Sequence, residues 1–311
     1  MHIVTAVLAV AVAAAAIVFV AIDREKRTLN EDIRAAKGGT YLTLAHGVTH
    51  YELAGPETGE IVVLVHGGTI PLWAWDEQVQ PLINAGCRVL RYDQYGRGLS
   101  DRPAVRYDRE LYRNQLLELL DRLRFSRPVH LIGHSFGGTI AAHFAAKHPD
   151  RIARLILVAP FFDLLKYDTP YRAACRLVRT PLAGRLFVRF VLIPKSITRA
   201  RQLLGGNESG NDIRRFEEQL LYCGFEYSLR SLLRHDFVEN YREEFDAIAR
   251  AKYPVSLVWG NKDNNVPRAL VNDVRSWVPR AKYVELEGVG HQPGREAADR
   301  FNQCLLELLG D

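Results

Sequence analysis

Short apolar runs separated by longer amphipathic stretches constrain this chain more than any other feature. Ile61–Val65, Cys87–Tyr92, Val129–Ile132, Leu155–Val158, Val255–Trp259 and Tyr283–Leu286 are strand-length and rich in aliphatic residues. Between them, Trp75–Ala85, Asp108–Leu123, Phe136–His148, Pro267–Trp277 and Arg295–Leu309 read as helices. Apolar strands alternating with helices are buried on both faces, which predicts an α/β fold with a mostly parallel sheet flanked by helices. Tyr41–Ala45 and Val48–Ala54 read as a hairpin ahead of it.

The alternation fails between residues 161 and 249, where the chain looks helical without a convincing strand. We read this interval as a helical cap inserted over the carboxyl edge of the sheet, where open α/β sheets bind ligands. The core is then 40–160 together with 250–311, which a chain of 311 residues accommodates. Charge is polarised within the cap. Lys166 to Arg201 holds nine Lys/Arg and one acid, Asp168, whereas Glu208 to Asp246 holds ten acids and five arginines. The basic half reads either as a solvated helix face or as a surface lying on anionic lipid.

The lipid reading draws on the N-terminus. Ile3 to Ile22 is uncharged and mostly apolar, and as a helix it would reach about 30 Å, enough to cross a bilayer. Only Met1 and His2 precede it, so the basic n-region of a signal peptide is missing, and Arg24, Lys26, Arg27, Arg34 and Lys37 follow it. Residues 1–22 are therefore expected to be a membrane anchor, with 23–39 a charged linker and the downstream domain on the cytoplasmic face. A cleaved signal with export, or a docked helix, are the alternatives.

Composition excludes several classes. With 25% charged and 48% hydrophobic residues the chain is an ordinary globular protein, and a net charge of +5 does not by itself imply nucleic acid. It carries no zinc-binding spacing, nucleic-acid motif or phosphate loop, so neither a metal nor a cofactor is expected. Cys87, Cys175, Cys223 and Cys304 are far apart and read as free thiols, with Cys175–Cys223 the pair to test if the domain is exported.

Five segments carry the chemistry. Gly133-His134-Ser135-Phe136-Gly137 lies between a strand and a helix, as a nucleophile elbow does, and would raise the Ser135 hydroxyl above the sheet edge. His66-Gly67-Gly68-Thr69 follows an apolar strand, and its glycines let backbone N–H groups approach a developing oxyanion. The loop Tyr92 to Pro103 (YDQYGRGLSDRP) reads as structural. Trp259 to Pro267 sets Asp263 just past a strand, and Gly288 to Pro293 sets His291 just past the last one. Asp163, which also follows a strand, is the rival acid. His134 is read as pointing away from the nucleophile, His66 as a brace for the glycine turn, and His46, His50, His143, His148 and His235 as surface or packing residues.

In that order these segments resemble the α/β-hydrolase fold family, serine-nucleophile branch, over roughly residues 40–310. The resemblance implies Ser135 as nucleophile, His291 as base, Asp263 as the acid that orients it, and the N–H groups of Gly68 and Phe136 as the oxyanion hole. A serine at the elbow argues against the dehalogenase and epoxide-hydrolase branches, which use aspartate there. The elbow looks most like those of esterases and monoacylglycerol-type lipases, which implies hydrolysis of a lipophilic, small to medium acyl ester. Carbon–carbon bond hydrolases and cofactor-free haloperoxidases share the arrangement, and some members of the fold are ligand receptors or scaffolds. No reading of the oligomeric state follows.

Overall fold

The computed structural model describes residues 23–163, 165–167, 172–204, 210–235 and 240–310. Along the chain run helix α1 (Glu31–Lys37), strands β1 (Thr40–Leu44), β2 (Gly47–Ala54) and β3 (Ile61–Val65), helix α2 (Asp76–Asn84) and strand β4 (Arg88–Tyr92). There follow α3 (Arg109–Arg122), β5 (Val129–His134), α4 (Phe136–Lys147) and β6 (Ile152–Val158). Next come α5 (Arg172–Val178), α6 (Pro181–Phe187), a π-helical turn (Val188–Leu192), α7 (Ile193–Leu204), α8 (Asn211–Gln219), α9 (Phe225–His235) and α10 (Arg242–Arg250). The chain closes with β7 (Val255–Gly260), α11 (Arg268–Trp277), β8 (Lys282–Leu286), α12 (Pro293–Glu296) and α13 (Ala298–Gly310).

The eight strands form one sheet in the order β1-β2-β4-β3-β5-β6-β7-β8. β1, β2 and β4 pair antiparallel; from β4 to β8 every pairing is parallel. The pleat explains the near-continuous apolar runs, because successive side chains must satisfy opposite faces. Val63 and Val65 enter the larger core, while Val62 and Leu64 enter the smaller one on the other face. Leu155 and Leu157 divide from Ile156 and Val158 in the same way. Each such side chain contributes about 1.5–3 kcal/mol when buried, so a one-residue slip in register would be costly. Parallel pairing also aligns the strand ends. Val65 lies beside Gly133, His134 beside Val158, Val158 beside Val258 and Gly260 beside Leu286, so the loops that follow all emerge along one edge.

Helices α5 to α9 and the π turn lie between β6 and β7 in sequence. α10, which the sequence reading placed with them, packs on the core helix α4: Glu244 accepts from His143 Nδ1 at 3.0 Å and pairs with Arg109 at 2.5 Å. Part of the charge polarity of this region is paired within it, since Arg189 and Arg185 pair with Glu226 and Arg201 pairs with Glu217.

The stretch expected as a linker is built into the fold. Arg27 bridges Tyr222, Cys223 N donates to Arg27 O, and Asp23 pairs with Arg189. Arg34 of α1 is buried, pairs with Asp101 and donates to Leu99 O at 3.2 Å. The expectation of a membrane-anchored protein with a cytoplasmic domain is corrected accordingly. Among the described residues no helix is long and apolar enough to cross a membrane, and the chain after residue 22 is strapped to the helical region instead of running as a tether. The run 3–22 itself lies outside the described residues. All four cysteines are free, Cys175 buried and Cys223 exposed.

Candidate active site

The elbow follows from its neighbours. Ser135 takes φ 53° and ψ −120°, a left-handed conformation that costs a non-glycine residue of order 1–3 kcal/mol and lifts the side chain off the sheet. The turn closes so tightly that a Cβ on Gly133 would sit 2.3 Å from Gly137 O, and one on Gly137 would sit 2.2 Å from Val65 O. Only glycine fits either place. Ser135 N is tied to Val158 O at 2.8 Å, and Phe136 opens α4 at its positive end.

His291 Nε2 lies 2.9 Å from Ser135 Oγ, and His291 Nδ1 lies 2.8 Å from Asp263 Oδ2. Oδ1 of Asp263 accepts the N–H groups of Asn265 at 2.7 Å and Val266 at 3.1 Å. Burial alone would raise the Asp263 carboxyl; the hydrogen bond and charge of His291, with those two N–H donors, outweigh it and hold the group below the usual carboxylate range. The carboxylate is thus an acceptor for Nδ1–H, which leaves Nε2 to accept from the serine. Asp163 is buried with φ 53° and its carboxyl is raised by burial; the carboxylate bonded to His291 is that of Asp263.

The glycine turn lies against the serine, since a Cβ on Gly67 would be 3.5 Å from Ser135 Cβ. Its carbonyls are each held by a side chain. His66 O accepts Gln94 Nε2 (2.5 Å), Gly67 O accepts His66 Nδ1 (2.6 Å), Gly68 O accepts Arg97 Nε (2.5 Å), and Thr69 O accepts Gln219 Nε2 (2.9 Å). His66 Nε2 receives Gln94 N at 3.0 Å, which fixes the tautomer with the proton on Nδ1. Burial holds this ring neutral, pushing it down to about 4. In a trans peptide C=O and N–H point opposite ways, so holding Gly67 O sets the direction of Gly68 N–H.

Sequence reasoning missed three contributors. His134 does not point away: its Nε2 donates to His291 O at 2.7 Å, and its ring centroid is 5.1 Å from that of His291. Burial, then the adjacent His291, pushes it down to about 3, so it stands as a neutral brace beneath the base. Gln219 and Arg97 were missed because their partners are remote in sequence and no spacing rule joins them. Asp93, from the loop read as structural, accepts Leu72 N (2.8 Å), Leu99 N (2.9 Å) and His50 Nδ1 (2.7 Å).

A cavity of about 180 Å³ opens over Ser135 and His291. Its walls are mostly apolar, with Phe161 and Ile70 from the core edge and Leu192, Ala200, Phe216 and Leu233 from the helices above. Arg199 and Asn265, hydrogen-bonded to each other, stand at the side where a second, polar hollow begins. Among the described residues no group of His, Cys, Asp or Glu could hold a metal ion.

Known proteins agree with this architecture. A family model described as the alpha/beta hydrolase fold matches residues 60–294. The AB hydrolase superfamily protein YfhM of Bacillus subtilis is 26% identical over 85% of this chain and 95% of its own. The 2-hydroxy-6-oxononadienedioate/2-hydroxy-6-oxononatrienedioate hydrolase of Paraburkholderia phymatum is 27% identical over 89% of this chain and 94% of its own. The crystal structure of a bromoperoxidase from Bacillus anthracis superposes with a TM-score of 0.72 at 21% identity, covering 88% of this chain and 100% of that one, a likeness of fold. With the family model matched across most of its length, this chain belongs to the α/β-hydrolase fold family.

Proposed function

We propose that the protein is a serine hydrolase that cleaves carboxylic esters with an apolar acyl group of small to medium size. The observation that carries the reading is the hydrogen-bonded line Asp263–His291–Ser135 at the floor of an apolar cavity. Ser135 Oγ attacks the ester carbonyl carbon while His291 Nε2 takes its proton. The charge that develops on the carbonyl oxygen is met by the N–H groups of Gly68 and Phe136, each worth about 3–4 kcal/mol in comparable chemistry. The carbon–oxygen bond breaks, the alcohol leaves with the proton from His291, and an acyl group remains on Ser135. Water, deprotonated by the same histidine, then attacks the acyl carbon and releases the acid. Asp263 stays ionised and stabilises the imidazolium in both halves.

Cavity size supports the acyl range. An apolar cavity of about 150 Å³ takes up benzene, so about 180 Å³ suits an acyl group of about six carbons. The name shared by several relatives favours a second reading, hydrolysis of a carbon–carbon bond in a 2-hydroxy-6-oxo-dienoate. The deciding experiment offers purified protein p-nitrophenyl esters from acetate to dodecanoate and, separately, such a dienoate. The ester reading expects turnover with an optimum near hexanoate. Turnover of the dienoate with none of any ester would replace it.

A further inference from the structure

The helical region does more than roof the cavity: it reaches the oxyanion turn itself, at two points. Gln219, at the end of α8 and 2% exposed, donates to Thr69 O at 2.9 Å and accepts Gly98 N at 3.3 Å. Arg97, 1% exposed, donates through Nε to Gly68 O at 2.5 Å and through Nη1 to Ser228 Oγ of α9 at 2.7 Å and Gly96 O at 2.8 Å. Its guanidinium lies 4.9 Å from the ring of Phe225, also of α9. The hydrogen bonds of this buried cation go to carbonyl and hydroxyl oxygens, and its Nη2 has no partner among the described residues. A buried, incompletely satisfied cation costs several kcal/mol, and a fold that only had to fill this space would be more stable with an apolar residue there.

Holding Gly68 O fixes the plane of the Gly68–Thr69 peptide, and holding Thr69 O the next one; these peptides follow Gly68 N–H, so they fix the far side of the turn whose near side His66 holds through Gly67 O. We propose that Arg97 and Gln219 are positioning residues that hold the oxyanion turn in its reactive orientation only while α8 and α9 are seated on the core. This rests on the reading of Ser135 as nucleophile. Seating those helices would then complete the oxyanion hole as well as enclose the acyl group, so that a substrate too bulky for closure is bound without being turned over quickly.

The test compares Gln219→Met, Arg97→Lys and a control, Lys166→Met, whose ion pair with Asp273 joins the same insertion to the core away from the turn. Each is assayed for kcat and KM on p-nitrophenyl hexanoate, for affinity toward a hexyl trifluoromethyl ketone, and for its thermal midpoint. The ketone adds reversibly to the serine and places an oxyanion where the transition state has one, so its affinity reads the hole directly. Gln219→Met should lower kcat and ketone affinity together by about tenfold, and Arg97→Lys by about a hundredfold, the scale of a small misplacement at a reacting centre. KM should stay within about twofold, and the control should change neither quantity beyond that. If Arg97→Lys does not fold, Gln219→Met decides alone. The proposal is overturned if Gln219→Met keeps wild-type kcat and ketone affinity, if its loss lies in KM alone, or if Lys166→Met loses as much. Wild-type protein that neither hydrolyses an ester nor binds the ketone would instead overturn the reading on which the proposal rests.

Discussion

The two walls of the cavity are built on different principles. The core edge is polar, and its hydrogen-bonded groups are over-determined: Asp263 takes His291 and two backbone N–H groups, and His291 is held on Ser135 from one side and by His134 from below. The wall formed by α7, α8 and α9 is mostly apolar and shapes the space, and its polar contacts with the core edge include Gln219 on Thr69 O, Ser228 on Arg97 and Arg199 on Asn265. On the proposed reading, rate is written into strand ends and selectivity into helix faces. Substitutions on one wall should change how fast any substrate reacts, and those on the other which substrate is accepted.

The sharpest break of this contrast comes at the core edge. Ser135→Ala should lower kcat by about 10⁴-fold or more toward every ester tested, with the acyl preference of any residual activity unaltered. Asp263→Asn should cost about 10³–10⁴-fold through the wrong histidine tautomer, while Asp163→Asn should cost little, as steady-state kinetics on both would show. On the opposite wall, Ala200→Leu shortens the cavity. The ratio of hexanoate to acetate turnover should fall about 10–100-fold, the range that methylene-sized changes give in apolar pockets.

Two further effects concern stability. Arg189 and Glu226 form an ion pair at 2.7 Å with both side chains under a tenth exposed. Arg189→Met leaves Glu226 buried and should destabilise the protein by about 3 kcal/mol, seen in denaturant titration. The other is the pH response of the two buried neutral histidines. Unfolded, His66 and His134 take up protons near pH 6.5; folded, they resist down to about 4 and about 3. Between those limits the unfolded chain binds more protons, so stability is lost as pH falls from about 6.5. The thermal midpoint should drop over that interval, and less steeply in His134→Gln.

What could be read from the chain follows the same division. The sheet was legible because both its faces are buried, so strands such as Ile61–Val65 announce themselves as apolar runs. β5 extends two residues past its apolar run because Gly133 and His134 still pair with Leu157 and Val158, which no single-segment pattern contains. Ser135, Asp263 and His291, which the structure brings into one hydrogen-bonded line, stood out in the sequence because each sits in a glycine-bearing turn after a strand. Missed were the groups that matter through distant partners: Gln219 on Thr69, His134 on His291, Arg34 on Asp101. Residues 23–39 looked like a linker because their charges imply solvent, yet those charges find partners far along the chain. Composition records that charge is present, not whom it meets.

The central claim is that Ser135 is a nucleophile activated by His291. It is tested most directly by intact and peptide mass spectrometry after treatment with a fluorophosphonate, which leaves a stable adduct only on an activated serine. The account predicts one phosphonyl group per chain, carried on Ser135, with none on Ser135→Ala and strongly slowed labelling of His291→Gln. An unlabelled wild-type protein, or an adduct on another residue that persists in Ser135→Ala, would contradict it.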